Sequence, residues 1–168
     1  DEPVGTLPKR DCHLEDGTLH RAFSIFIFNS DGDVLLQQRS DQKMLWPGYW
    51  SNACCSHPRA GEDAEEAAHR RLQQELGIST RLTFLYKFEY QAQFREVGAE
   101  HELCWVWVGF AEAEEVTANE NEIASWRFVS RSELDDVLQH SPEHYTPWMK
   151  MEWQRLFEDH AAQLTPPA

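Results

Sequence analysis

Arg70-Arg71-Leu72-Gln73-Gln74-Glu75-Leu76-Gly77-Ile78 decides how this chain is read. Together with the residues before it, from Glu62, it predicts a helix that runs to Leu76. Acidic residues crowd the first turn, where the helix dipole favours them, and Gly77 supplies the stop. Ala64, Ala67, Ala68, Leu72 and Leu76 recur at helical spacing and make one apolar stripe. Arg71 and Glu75 are one turn apart on another face. A solvent-exposed ion pair satisfies that spacing, and so does a site that handles a cation and phosphate oxygens together.

Upstream, Ala22-Phe23-Ser24-Ile25-Phe26-Ile27-Phe28 is rich in β-formers and Asn29-Ser30-Asp31-Gly32-Asp33 is a turn. Val34-Leu35-Leu36-Gln37-Gln38-Arg39 returns as the second arm of a hairpin. Trp46-Pro47-Gly48-Tyr49-Trp50 turns into a short strand carrying Cys54 and Cys55. Downstream, strands are expected near 80–94 and 100–111 around a polar loop with Gly98, and again at about 123–129. Ser130 or Ser132 caps a following helix. A last helix starts at Pro147 and runs to about Ala162, with Trp148, Met149, Met151, Trp153, Leu156 and Phe157 toward the core. The tail Thr165-Pro166-Pro167-Ala168 is expected to fray. This order predicts an α+β fold, a mixed β-sheet flanked by helices, in one domain spanning 1–168 without internal repeats.

With 41% hydrophobic residues, including seven Trp and nine Phe, the chain can build a core and an apolar-walled pocket. A net charge of −14 argues against nucleic acid or an anionic membrane as partner. An anionic substrate would then need a local basic cluster or bound cations. No apolar run is long enough to span a bilayer and no signal peptide is visible, so a cytoplasmic setting is expected. Cys12, Cys54, Cys55 and Cys104 read as reduced thiols.

Asn52-Ala53-Cys54-Cys55-Ser56-His57-Pro58 sets a thiol two residues from an imidazole. His13 and His20 lie near the start, while Glu100 and Glu102, i and i+2 on a strand, leave one face with His101 on the other. Three imidazoles and two carboxylates make a nitrogen–oxygen ligand set that suits Mn²⁺, Mg²⁺ or Zn²⁺. The polar segment carrying His13 and His20 is expected to order on metal binding. Lys9, Arg39, Lys43 and Arg71 form a basic set able to receive a diphosphate. Cys55 near a cation can act as base, and Glu102 can deliver or accept a proton beside Tyr90 if their strands pair. Trp148 serves either the core or a cationic centre.

Glu62, Arg70, Glu75, Gly77 and Ile78 fall in register with the Nudix box, in which carboxylates gather diphosphate-bound cations. Ser56 stands at the box's first glycine, Arg71 replaces one glutamate and Gln74 another. Losing two carboxylates should remove much hydrolytic activity, yet Glu75 with a substrate diphosphate can still hold one Mg²⁺. With His20-Arg21-Ala22-Phe23-Ser24, the segment 50–58 and Glu100-His101-Glu102, the chain resembles type I isopentenyl-diphosphate isomerases over nearly its whole length. Its Cys54-Cys55-Ser56 spelling differs from the Cys-Gly of some bacterial members.

The resemblance implies a Nudix-like fold and reversible allylic isomerisation of isopentenyl diphosphate to dimethylallyl diphosphate through a carbocation, in isoprenoid biosynthesis. It implies Cys55 and Glu102 as the catalytic pair, with the glutamate side usually assigned the donation. Tyr90 would be the proton relay and Trp148 the cation-facing aromatic. His13, His20, His57, Glu100 and Glu102 would bind Mn²⁺ or Zn²⁺, and Glu75 would bind Mg²⁺ with the diphosphate. Lys9, Arg39, Lys43 and Arg71 would contact that diphosphate. The expected partner is this small molecule alone, with the protein a monomer or weak dimer. Two other readings stay open: a residual Nudix pyrophosphohydrolase, against which Arg71 and Gln74 argue, and a non-catalytic metal or diphosphate-binding module.

Overall fold

The computed structural model describes residues 1–166, so Pro167 and Ala168 of the expected frayed tail lie outside the described residues. Strand β1 (His20–Phe28) is the spine. Phe23, Ile25 and Ile27 enter one buried cluster, whose other members include Ala67, Ala68, Leu72 and Leu76 of helix α2 (Ala64–Leu76). Ala22, Phe26 and Phe28 enter a second cluster with Trp148, Met149, Trp153 and Leu156 of helix α4 (Pro147–Asp159). A strand covered on both faces has to read as an almost unbroken apolar run, which is what its sequence displays. Burying each of these phenylalanines contributes about 1.5–3 kcal/mol.

The hairpin partner β2 (Val34–Arg39) meets β1 only at the turn, where Phe28 pairs with Val34. Beyond that point the arms diverge. β1 takes β4 (Cys54–Ser56) antiparallel and β6 (Gly98–Phe110) parallel. β2 takes β3 (Trp50–Asn52) and β7 (Ile123–Val129), both antiparallel. β5 (Thr83–Phe94) adds antiparallel to β6 and completes a seven-stranded mixed sheet. The one short strand expected around the cysteines is thus two, and Ala53 lies where the chain passes from β2's side to β1's.

Helix α2 begins two residues after Glu62, because the Asp63 carboxylate accepts from the Glu65 and Glu66 amides and so sits outside the helix as its cap. Gly77, at φ 70°, ends it as expected. Helix α3 (Arg131–His140) is capped by Ser130 rather than Ser132. Helix α4 ends at Asp159, and residues 161–163 form a separate 3-10 turn. Its core face corrects the expectation at one position: Met151 is 43% exposed and Glu152 is 1% exposed. Helical rotation aims residues 148, 149, 152, 153 and 156 inward and carries 151 to the outside.

The N-terminal histidine segment contains a single-turn helix, α1 (Lys9–Cys12), which the sequence does not announce. Its anchors are backbone groups: Thr18 N–H donates to Cys12 O at 2.8 Å, and Ala99 N–H donates to His13 O at 3.0 Å. Gly98 opens β6 instead of lying in the loop, and a Cβ there would overlap the His13 carbonyl oxygen. Docking of this segment therefore depends on hydrogen bonds and a missing side chain, which composition does not reveal. Among the described residues no helix is long and apolar enough to cross a membrane.

Candidate active site

Register does most of the assembly. Parallel pairing of β1 with β6 sets His20 opposite Glu102, and the β5–β6 hairpin sets Tyr90 opposite Glu102 as well. The two-residue period buries Glu100 and Glu102 and leaves His101 half-buried between them, against Glu89. One narrow cleft is lined by Lys9, His13, Arg39, Lys43, Cys55, His57, Tyr90, Glu100, Glu102 and Trp148. His20 stands beside it, next to Glu102, while Arg71 and Glu75 join from α2 through Glu122. A wider groove between α3 and α4 holds none of these residues.

At one end, His13, His20, His57 and Glu100 bring one ligand atom each to within 4.8 Å of the others. The three imidazole centroids are 4.8 to 5.2 Å apart. His20 Nδ1 donates to Thr18 O at 2.6 Å, which leaves Nε2 bare, buried and without a hydrogen bond. His13 Nδ1 and Glu100 Oε2 are 2.9 Å apart and both buried, yet their geometry makes no hydrogen bond. Two lone pairs that face a common point in this way fit a cation between them. His57 Nδ1 is also buried and unpartnered. Burial lowers the His57 pKa to about 4, against the pull of Glu102, so the ring is held in the neutral form that ligation requires. The set of orphaned nitrogen and oxygen atoms fits a divalent ion.

Glu102 flanks this group rather than joining its tightest four members. Its Oε1 lies 3.0 Å from His57 Nε2 and 3.7 Å from His20 Nε2, and its Oε2 accepts from Tyr90 OH at 2.7 Å. Burial would raise its pKa, but His20 beside it and the hydrogen bonds from His57 and Tyr90 outweigh burial and hold it below the usual carboxylate range. Glu100 is raised, first by burial and then by the charge of Glu102.

Across the cleft, Cys55 sits on β4 with its thiol 3.0 Å from Asn52 Oδ1 and 3.5 Å from Ser24 Oγ. Trp148 Nε1 donates toward the sulfur at 3.2 Å and toward Ser51 Oγ at 3.1 Å. Burial, followed by the nearby Glu152, pushes the Cys55 pKa up to about 12. Cys54, next to it, points into the α2 cluster and is fully buried, which leaves it as core. All four cysteines are free.

At the far end, Lys43 and Arg71 both bind the Glu122 carboxylate, and Arg71 also binds Glu75. Burial opposes ionisation of Glu122, yet Lys43 and Arg71 prevail and hold its pKa at about 2. Glu75 is 0% exposed and its Oε2 has no partner. The Lys9 pKa is lowered by burial and then by the Lys43 and Arg71 charges, a crowding of cations that a multiply charged anion relieves. Arg39 is more committed: Nε and Nη2 hold the Trp46 and Leu45 carbonyls, and its guanidinium lies 5.3 Å from the Trp148 ring centre. On the other side of α2, Glu62 grips Arg70 through two hydrogen bonds, 2.6 and 2.8 Å, and fixes the loop before the helix.

Sequence reasoning gave no role to Asn52, Ser24 or Glu122. A serine inside the apolar run 23–28 was a usable signal, since a buried hydroxyl has to find a partner. An asparagine inside a strand was another. Glu122 gave no signal, being one acid among several in a loop.

The NUDIX domain profile matches residues 18–149. Isopentenyl-diphosphate Delta-isomerase 1 of Photorhabdus laumondii is 43% identical over 166 residues, covering 98% of this chain and 94% of that protein. The isopentenyl-diphosphate Delta-isomerase of Halorhodospira halophila is 42% identical over 88% of this chain and 85% of its own. Among solved structures, a Deinococcus radiodurans protein superposes with a TM-score of 0.76 at 21% identity, covering 92% of this chain and 93% of that one. A MutT NUDIX hydrolase from Burkholderia pseudomallei does so at 0.64 and 19% identity, over 83% and 98%. At those identities the structures speak for the fold alone.

Proposed function

We infer the working parts of this site from one premise: the chain belongs to the Nudix family and, within it, to the isopentenyl-diphosphate Delta-isomerases. It is an isomerase that interconverts isopentenyl and dimethylallyl diphosphate in isoprenoid biosynthesis. The observation that carries the site assignment is that Cys55 and Glu102 line the same cleft, each held by an aromatic hydrogen-bond donor of its own.

The substrate's double bond is unactivated, so one group has to protonate it and another has to remove a different proton from the resulting cation. Cys55 and Glu102 are the pair. In the resting arrangement the hydrogen is on sulfur and Glu102 is ionised. The reversible reaction visits the opposite distribution as well. Tyr90 OH bonds Glu102 Oε2 and orients that carboxylate, while Trp148 N–H steadies the sulfur. The indole and the walls contributed by Leu45 and Met44 keep water from a short-lived cation.

Lys9, Lys43 and Arg71 hold the diphosphate, with Arg39 at the edge of the set, and convert binding into orientation. Magnesium would be held by Glu75, whose Oε2 is unpartnered, and would share the diphosphate charge. Manganese or zinc would be held by His13, His20, His57 and Glu100, with Glu102 alongside, and would fix the position of the acidic group. The substrate is a small molecule.

Proton NMR of the metal-loaded protein with isopentenyl diphosphate in D₂O reads turnover and proton exchange together. Cys55→Ala and Glu102→Gln are each expected to abolish both while thermal unfolding stays cooperative. Near-normal turnover by Cys55→Ala refutes the assignment.

A further inference from the structure

Glu152 has no place in the chemistry above, yet it is the most deeply buried acid near it after Glu75. It lies on α4, one turn beyond Trp148 and on the same face. Its side chain is 1% exposed, and its Oε2 has no partner. No cation faces it. Around it are Ser24 on β1, Cys55 on β4, Tyr86 on β5, and Cys104 and Glu102 on β6; of these only Glu102 carries charge. Leaving an ionised carboxylate in such surroundings is costly, whereas the acid form has one O–H to give.

That hydrogen has a path. Glu152 Oε1 lies 3.6 Å from Cys104 Sγ, Cys104 Sγ lies 3.5 Å from Ser24 Oγ, and Ser24 Oγ lies 3.5 Å from Cys55 Sγ. Each link has a single hydrogen, so the row runs in one of two directions. With a proton on Glu152, its O–H points at Cys104 sulfur, the Cys104 S–H at Ser24 oxygen, and the Ser24 O–H at Cys55 sulfur. The Cys55 hydrogen then goes to Asn52 Oδ1 at 3.0 Å. An ionised Glu152 accepts only. Cys104 and Ser24 then turn their hydrogens toward it, and Cys55 loses a donor.

We propose that Glu152 is a positioning residue for the isomerase reaction: its carboxyl O–H sets the direction of a hydrogen-bond row through Cys104 and Ser24 and so keeps a donor on the Cys55 sulfur. The proposal rests on the reading of Cys55 as a catalytic residue. Burial pushes the Glu152 carboxyl up to about 8; a Ser24 hydrogen bond pulls it down, Glu102 pushes it further up and Cys104 pulls against it. The row therefore keeps its productive direction at neutral pH and reverses in mildly alkaline solution.

The test is the pH profile of kcat for the metal-loaded enzyme, with isopentenyl diphosphate as substrate. One unit above the Glu152 titration about a tenth of the molecules keep the proton, so wild-type kcat falls roughly tenfold there while KM stays within about twofold. Glu152→Gln has an amide donor that does not titrate, so its kcat loses this alkaline fall. Ionisations of substrate or bound metal act on both proteins alike and cancel in the comparison. Ser24→Ala breaks the row in the middle and removes the same fall, which keeps the test open if Glu152→Gln does not fold. An alkaline fall in either folded variant as large as that of wild type over the same pH range overturns the proposal. Cys55→Ala run alongside separates the two readings: activity there refutes Cys55 itself, whereas an inactive Cys55→Ala beside an unaltered Glu152→Gln profile refutes only the role of Glu152.

Discussion

Trp148→Phe isolates one hydrogen at the heart of the cleft. The substitution keeps an aromatic ring on α4 and removes the N–H shared between Ser51 Oγ at 3.1 Å and Cys55 Sγ at 3.2 Å. Ser51 is not stranded by the loss, because its hydroxyl still meets Asn52 Oδ1 and Thr146 Oγ1, both at 3.0 Å. Cys55 is the group that loses. A hydrogen bond to a sulfur that takes on charge during turnover contributes about 1.5–3 kcal/mol, so kcat should fall roughly 10- to 100-fold. KM should stay within about threefold, since the diphosphate is assigned to lysines and arginines that Trp148 does not replace.

Packing changes too. The indole meets Trp46 edge-on at 5.2 Å and is 2% exposed, so the smaller ring leaves a small void. A loss of about 2 kcal/mol is expected, which lowers Tm by roughly 4–8 °C in a domain of this size. Steady-state kinetics and differential scanning calorimetry on one preparation separate the two effects. If Tm drops as expected while kcat stays within about threefold, the N–H does nothing for the sulfur and the reasoning fails.

Tyr90→Phe removes the 2.7 Å bond to Glu102 Oε2, and kcat should drop about tenfold with little change in Tm; full activity would assign the orientation of Glu102 to its histidines alone. Gly98→Ala drives a methyl into the His13 carbonyl oxygen, so calorimetric titration should show at least about tenfold weaker divalent-metal binding, and unchanged affinity would deny that this glycine seats the first ligand. Glu152→Gln should stabilise the protein in a pH-dependent way. The folded-state value is raised from 4.5 to about 8, so wild type loses stability as pH climbs through that window and levels off above it. In urea unfolding the advantage of the variant should grow from little at about pH 5 to several kcal/mol near pH 8, and a pH-independent difference would contradict the burial argument.

The spine strand and the box helix were legible because periodicity fixes which side chains share a face, whereas Tyr90 was placed beside Glu102 only on the condition that their strands pair, which they do. Where a helix begins or ends was less so: Asp63 had to be outside α2 to cap it, and an acid at that point reads equally well as a first-turn residue. Helix α4 shows the limit most clearly. Met151 and Glu152 are neighbours at the margin of its apolar face, and hydropathy favours burying the wrong one. Only the packed neighbours Cys104 and Ser24 give the carboxyl somewhere to go. The histidines were recognisable as candidate ligands by type and by resemblance. Their convergence was not derivable from spacing, since residues 13, 20 and 57 meet only after β1 has chosen β6 and the N-terminal segment has been tied to Ala99.

The first residue of β1 is His20, and the same strand supplies the phenylalanines that join the two cores. An insertion of one amino acid near its start would turn the imidazole away from its three companions while the greasy interior could still be refilled. With those residues assigned as ligands, ion uptake would act as a vernier for the whole sheet. A chain that collapses one notch out of frame would look well folded to a melting curve and be exposed at once by its failure to capture the ion.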